Sequence, residues 1–286
     1  MDFFHAAVGV LYLFTSSALL ILNFLLFTVL CRYKEYRKGP YVIAKSISVC
    51  CMIQLISFVV GGAMTIANST LNFYVDRIFG IAVEAGWFPY VGLSLTLAVD
   101  RLMIFTASNF GLLRARIIRV LIIASWLIGL GALITLCLPG FGYTYNSPEG
   151  RFGWSYYRGR RGAAVLADVE LYYDLAIIVI ILVIYLFIVF YFLKGKLSLT
   201  KCSSIEVRIF VIAIVSYVYE IIFVIWSFTA PSLFRSRVAM RVALNLSWIL
   251  DAGMFALVTV LLSKKARRRL NEMLMGKPTK VVVFKI

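Results

Sequence analysis

The chain has 286 residues, of which 62% are hydrophobic and only 15% charged, and its formal net charge is +16. A mean hydropathy of +0.94 is far above what a water-soluble domain of this length needs, which excludes a soluble fold as the starting expectation. The apolar residues lie in long blocks poor in Lys and Arg, and a hydrocarbon core about 30 Å thick needs about 20 such residues per helical crossing.

Seven blocks reach that length: residues 6–31, 41–67, 78–105, 117–139, 170–193, 207–230 and 238–262. Each is predicted to be a helix, because backbone in lipid must satisfy its own hydrogen bonds and the segments lack the alternation of barrel strands. The first block has no basic flank and is too long for a signal-peptide core, so it reads as a span preceded by the short tail Met1 to His5. The fifth is the weakest, since Asp168, Glu170 and Asp174 at its outer end allow a start nearer Leu175. Residues 1–262 then make the bundle, and 263–286 a short amphipathic helix and basic tail. In that helix Ala266, Leu270, Met273 and Leu274 share one face, and Arg267, Arg268 and Arg269 lie toward the headgroups.

Basic residues sort unequally between alternate loops, and this asymmetry sets orientation. Of the 29 Lys and Arg, 21 fall around the first, third and fifth loops and in the tail. The N-terminus is therefore expected outside and the C-terminus inside. Arg158, Arg160 and Arg161 argue against this, because they put positive charge on an outer loop. The sequon at Asn68 falls in an outer loop under the same topology, close enough to the membrane that poor glycosylation is expected. Asn245 also heads a sequon, but inside the seventh helix. The basic excess lies at cytoplasmic membrane borders, where anionic lipid attracts each Lys or Arg by about 1 kcal/mol. Lipid contact therefore explains it better than nucleic acid. None of the five cysteines sits in an outer loop, so no extracellular disulfide is expected.

Polar residues within the spans mark candidate function. On the third helix Trp87, Tyr90 and Ser94 share a face with Arg101, and Glu84 sits about 100° away. On the sixth, Tyr217 and Glu220 lie in one polar stripe. Glu220 is near mid-membrane, where an ionised group costs at least about 2.5 kcal/mol unless neutral or partnered. Arg241 and Asn245 on the seventh helix are its candidate partners, and Asp174 and Trp226 are further pocket candidates. Glu220 reads equally well as a neutral carboxyl bonded to a neighbouring helix. Tyr172 and Tyr173 read as interface-belt residues. Glu84 and Glu220 suit a cationic or polar ligand, and the outer-loop arginines an acidic one. The single histidine, His5, gives no His-based metal site or catalytic dyad, so no metal, no cofactor and no enzymatic activity are expected.

Asp100-Arg101-Leu102 at the cytoplasmic end of the third helix resembles the Asp-Arg-Tyr motif of G-protein-coupled receptors, with Leu in place of Tyr. Asn23 in the first helix and Asp251-Ala252-Gly253-Met254-Phe255 in the seventh resemble two further motifs of that superfamily. The seventh-helix motif lacks its Pro, the sixth helix has no Trp-x-Pro, and Asp76 stands about where many receptors have a disulfide Cys. These departures resemble the nematode serpentine chemoreceptors, in the group that includes the Srx, Srt and Srxa classes. The resemblance implies an all-α, seven-transmembrane bundle of rhodopsin-like architecture in the plasma membrane, with the sensory cilium a candidate location. It also implies a small-molecule ligand among the outer helix halves and a heterotrimeric G protein at the cytoplasmic face. Asp100 and Arg101 would form the switch with Asp251 and Phe255, and Arg114 and Arg116 the docking rim. A small seven-helix solute transporter is the competing reading, but internal repeats and matched broken helices are not found. No sequence feature specifies an oligomeric state.

Overall fold

The computed structural model describes residues 3–36, 39–106, 111–145, 151–157, 159–194, 204–233 and 236–275, with backbone alone at 204–206, 228 and 230–233. Seven helices in it are long and apolar enough to cross a membrane. They are α1 (Phe3–Arg32), α2 (Pro40–Ala67), α3 (Phe73–Thr106), α4 (Gly111–Cys137), α5 (Arg161–Leu193), α6 (Ser204–Leu233) and α7 (Arg237–Leu262). A short α8 (Lys264–Leu274) follows, and strands β1 (Tyr143–Thr144) and β2 (Ser155–Tyr156) form an antiparallel hairpin between α4 and α5. The hairpin lies at the end of the bundle opposite the Lys- and Arg-rich connections. These two ends are called the hairpin end and the basic end below.

All seven helices start before their apolar blocks, with α3, α4 and α5 showing the largest differences. Helix α3 begins at Phe73 because Asn72 caps it, its Oδ1 accepting the Val75 N–H at 2.8 Å. Helix α5 runs unbroken from Arg161 instead of starting near Leu175. Its extra turns contain Ala163 and Leu166, both buried, so packing at the hairpin end extends it beyond the span. Asp174 does not end the helix, because it turns inward and is buried.

Helices α1 and α2 meet along glycines. A Cβ on Gly62 would stand 2.9 Å from the Leu13 nitrogen and 3.2 Å from the Gly9 oxygen, both rigid backbone atoms. Small residues of this kind let two helices approach where lipid offers no hydrophobic drive to associate. Gly62→Val is therefore expected to force the pair apart and cost about 1 to 3 kcal/mol. Thermal unfolding in nanodiscs checks this, with Gly131→Val unchanged, since a Cβ there would meet nothing within 4 Å.

At the basic end, Ser263 caps α8 by accepting the Ala266 N–H at 3.2 Å. Ala266 is buried, and Leu270 and Met273 pack against the core. Leu274 is exposed instead of joining that face. Arg269 ties α8 to the first loop, its Nε lying 3.0 Å from Glu35 Oε1 and its guanidinium over the Tyr33 ring at 4.5 Å. The Arg269 hydrogen bond holds the Glu35 carboxyl below its ordinary value of 4.5. The tie is therefore complete above pH 4.5 and weakens as pH falls through the lowered value. The residues after 275, including the basic tail, lie outside the described residues.

The arginines at the hairpin end have local acceptors. Arg77 donates to the carbonyls of Phe141 at 2.8 Å and Leu138 at 3.0 Å. Arg160 donates to the Pro139 carbonyl, and Arg151 to that of Asn68 at 2.9 Å. They cap the carbonyls left open where α4 and α2 end. Positive charge on this side thus has local acceptors at Arg77, Arg151 and Arg160; Arg158 lies outside the described residues. Asn68 itself ends α2 in the left-handed conformation, φ 45°, and its Oδ1 accepts from Arg151 at 3.1 Å. Cys31, Cys50, Cys51 and Cys137 are free thiols; Cys202 lies outside the described residues.

Candidate functional site

The aromatic alternation Phe141-x-Tyr143-x-Tyr145 and Phe152-x-Trp154-x-Tyr156 has the period of a strand, and these two segments pair as the hairpin. Tyr143 faces Tyr156 in its register. Tyr145 and Trp154 are buried against each other, ring centroids 4.9 Å apart. The hairpin is anchored by Asp76, whose carboxylate accepts Thr144 Oγ1 at 2.6 Å and the Tyr145 N–H at 2.8 Å. Asp76 thus links α3 to this connection non-covalently at the position where the resemblance would place a disulfide.

Hydrogen bonds to an ionised group contribute about 1.5 to 3 kcal/mol each. Asp76→Ala should therefore loosen the hairpin before the bundle. Amide hydrogen exchange across 141–157 is expected to speed up while that of α1 and α2 stays put; equal protection in the variant would contradict the anchor.

Beneath the hairpin lies a cavity of about 300 Å³, at the lower end of the usual range for small-molecule sites. Its helical walls hold Trp87 of α3, Glu170 and Asp174 of α5, Phe223 of α6, and Arg241, Asn245 and Trp248 of α7. Tyr143, Trp154 and Tyr156 close it from above. Trp87, Phe223 and Trp248 form the floor, with ring centroids 5.6, 5.9 and 6.2 Å apart. Trp87 Nε1 donates to Asp174 Oδ2 at 3.0 Å, and Trp248 Nε1 to Gln54 Oε1 at 3.0 Å. Glu84 stands directly behind the wall, where Tyr156 Oη donates to its Oε1 at 2.6 Å.

A second, far smaller void lies deeper, lined by Tyr90, Ser94, Tyr217, Glu220 and Phe255. The sequence-predicted pocket therefore divides in two. Trp87, Asp174, Arg241 and Asn245 meet in the upper cavity, while Tyr90, Ser94, Tyr217 and Glu220 meet below it. Trp226 is half-buried and lines neither. Glu220 does not pair with Arg241 or Asn245 as expected. At 1.5 Å rise per residue, Arg241 is about 6 Å from the start of α7, while Glu220 is about 20 Å from the end of α6. The neighbours of Glu220 are instead Ser94 and Asp251. Tyr173 is no belt residue either, because its hydroxyl donates to the Phe88 carbonyl at 3.0 Å; Tyr172 is exposed as a belt residue would be.

At the basic end Arg101 is fully buried and pairs with Asp100. Asp100 also holds Arg114 from the first turn of α4, at 2.8 Å. Arg114, expected on the docking rim, is thus also a second restraint on the acid; Arg116 is exposed. Between the two ends, Asp251 and Asn23 are fully buried, and neither carboxylate oxygen of Asp251 has a hydrogen-bond partner. The residues that sequence reasoning missed are chiefly Tyr143, Tyr156, Trp154 and Trp248. The period-two aromatics could have revealed the first three, but nothing local marks Trp248 as a hub.

No protein-family model matches the sequence, and no curated protein is similar to it. By structure the chain is similar to squid rhodopsin, with a TM-score of 0.76 over 96% of this chain and 87% of that one, at 12% sequence identity. The fold is therefore a seven-transmembrane helix bundle of rhodopsin-like architecture.

Proposed function

We propose that the chain is a chemosensory G-protein-coupled receptor in the plasma membrane, taking a small environmental molecule in the cavity under the hairpin. The single observation that carries this reading is the pairing of that cavity with a buried Asp100 and Arg101 at the opposite end of one helix, α3, held there also by the half-buried Arg114 of α4. Ligand at the first site can bias the second only by binding two arrangements of the bundle with different affinity. Trp87 and Tyr90, whose ring centroids are 5.6 Å apart, join the cavity floor to the deeper void. Asp251 and Glu220 continue the buried polar path toward Arg101. Arg116, Arg208 and Lys194 at the basic end provide positive charge for a heterotrimeric G protein and for anionic lipid.

The test is G-protein activation in cells expressing the chain, screened against volatile and water-soluble attractants and repellents. Activation by at least one compound, lost in cells without the chain, supports the receptor. Solute uptake by vesicles containing this protein alone, with no activation by any compound, would favour a transporter.

A further inference from the structure

The sign of charge in the cavity decides a question the sequence left open, because acidic and basic residues both lie near the outer helix halves. Arg77, Arg151 and Arg160 are engaged with backbone carbonyls at helix ends and do not line the cavity. Among the described cations only Arg241 reaches it. Facing that one guanidinium are two carboxyls, Asp174 and Glu170, with Glu84 a third just behind Tyr156. Among the described side chains of α6 the cavity receives only Phe223, Val224 and Ser227, none of them charged. Buried carboxyl groups this close resist ionising together, and a bound cation offsets that resistance.

Three buried side chains that line this site have polar atoms left open, one of them Trp154 through its Nε1. Asp174 is 4% exposed, and with its Oδ2 held by Trp87 its Oδ1 has no hydrogen-bond partner. Asn245, also 4% exposed, lines the same cavity with both its Oδ1 and Nδ2 unpartnered. Open buried polar atoms of this kind carry a desolvation cost that a ligand removes. The floor rings of Trp87, Phe223 and Trp248 suit an aromatic body and attract an ammonium through their faces.

We propose that this cavity binds a small arylalkylamine, with its ammonium on Asp174 Oδ1, its ring on the Trp87, Phe223 and Trp248 floor, and Asn245 meeting any polar substituent. The inference rests on the receptor reading only for the choice of site. Its test therefore uses binding without any G protein.

Purified protein in nanodiscs is titrated with 2-phenylethylamine, 2-phenylethanol and 3-phenylpropionate, with the thermal unfolding midpoint as readout. The three probes share a ring and differ in charge. The amine is expected to raise the midpoint saturably, with an affinity roughly tenfold or more above the alcohol, as one charge-assisted hydrogen bond allows. The acid is expected to give no shift. In Asp174→Asn the preference for amine over alcohol should vanish. Should that variant fail to fold, Glu170→Gln should still weaken the amine while leaving the alcohol unchanged.

Binding of the acid as tight as that of the amine would overturn the proposal. So would the absence of any shift from benzylamine through 4-phenylbutylamine at about 1 mM, the edge of measurable affinity. Saturable amine binding without G-protein activation would sink the receptor reading and leave the ligand class standing. Activation by acids alone would do the reverse.

Discussion

Arg101→Ala is expected to abolish ligand-stimulated G-protein activation while surface expression survives, and Asp100→Asn is expected to raise activation without ligand. Both results follow from one carboxylate shared between two arginines. Removing Arg101 does not strand Asp100, because Arg114 remains 2.8 Å away. The usual cost of an uncompensated buried charge, about 3 to 5 kcal/mol, is thereby avoided, and the bundle should fold. Removing the charge of Asp100 instead releases both partners. Arg114 is 27% exposed and can turn to water, while the fully buried Arg101 loses its ion pair with Asp100. If the restraint contributes about 1 to 2 kcal/mol to the resting state, its loss multiplies the population of the alternative by about 5 to 30. Basal nucleotide exchange on the G protein, set against cell-surface labelling, measures both variants. Normal stimulated exchange by Arg101→Ala would end its assignment as the switch.

Trp248→Ala should destabilise the bundle by about 3 to 5 kcal/mol, as truncating a large packed aromatic does, and should also remove the ligand response. The indole of Trp248 has ring contacts with Phe58, Trp87, Tyr143 and Phe223 at centroid distances of 5.4 to 6.2 Å. It therefore joins α2, α3, α6, α7 and the hairpin at one point. Its N–H also satisfies Gln54, buried in α2. Trp248→Phe separates the two contributions. It keeps an aromatic ring on the floor but leaves Gln54 Oε1 without its donor, which costs about 1 to 3 kcal/mol. Unfolding midpoints in nanodiscs should rank wild type above Phe above Ala. An Ala variant as stable as wild type would mean that the ring cluster is not what holds the cavity floor.

The bundle was legible in the sequence because bilayer thickness imposes a length on every crossing and the interior excludes charge. Those constraints act residue by residue and need no knowledge of neighbours. The ends of α3 and α5 were less legible, because an Asn72 cap and burial under the hairpin extend helices past the apolar stretch. Helical spacing brought out Trp87, Tyr90 and Ser94 on one face of α3, but gave no relative depth between helices. That is why the sequence alone offers Arg241 as a partner for Glu220 although the two lie at different levels of the bundle. The contact of Arg114 with Asp100 has no signature in the sequence, because it depends on how α4 packs against α3. The hairpin aromatics had a readable period of two, which long apolar helices on either side obscured.

The most direct measurement is nucleotide exchange on a purified heterotrimeric G protein mixed with the chain in nanodiscs, across the compound panel and with Arg101→Ala alongside. Ligand-dependent acceleration by wild type that disappears in Arg101→Ala is the predicted result. Exchange at the same rate with wild type, with Arg101→Ala and with empty nanodiscs, for every compound and every G-protein class, would contradict a receptor function for this fold.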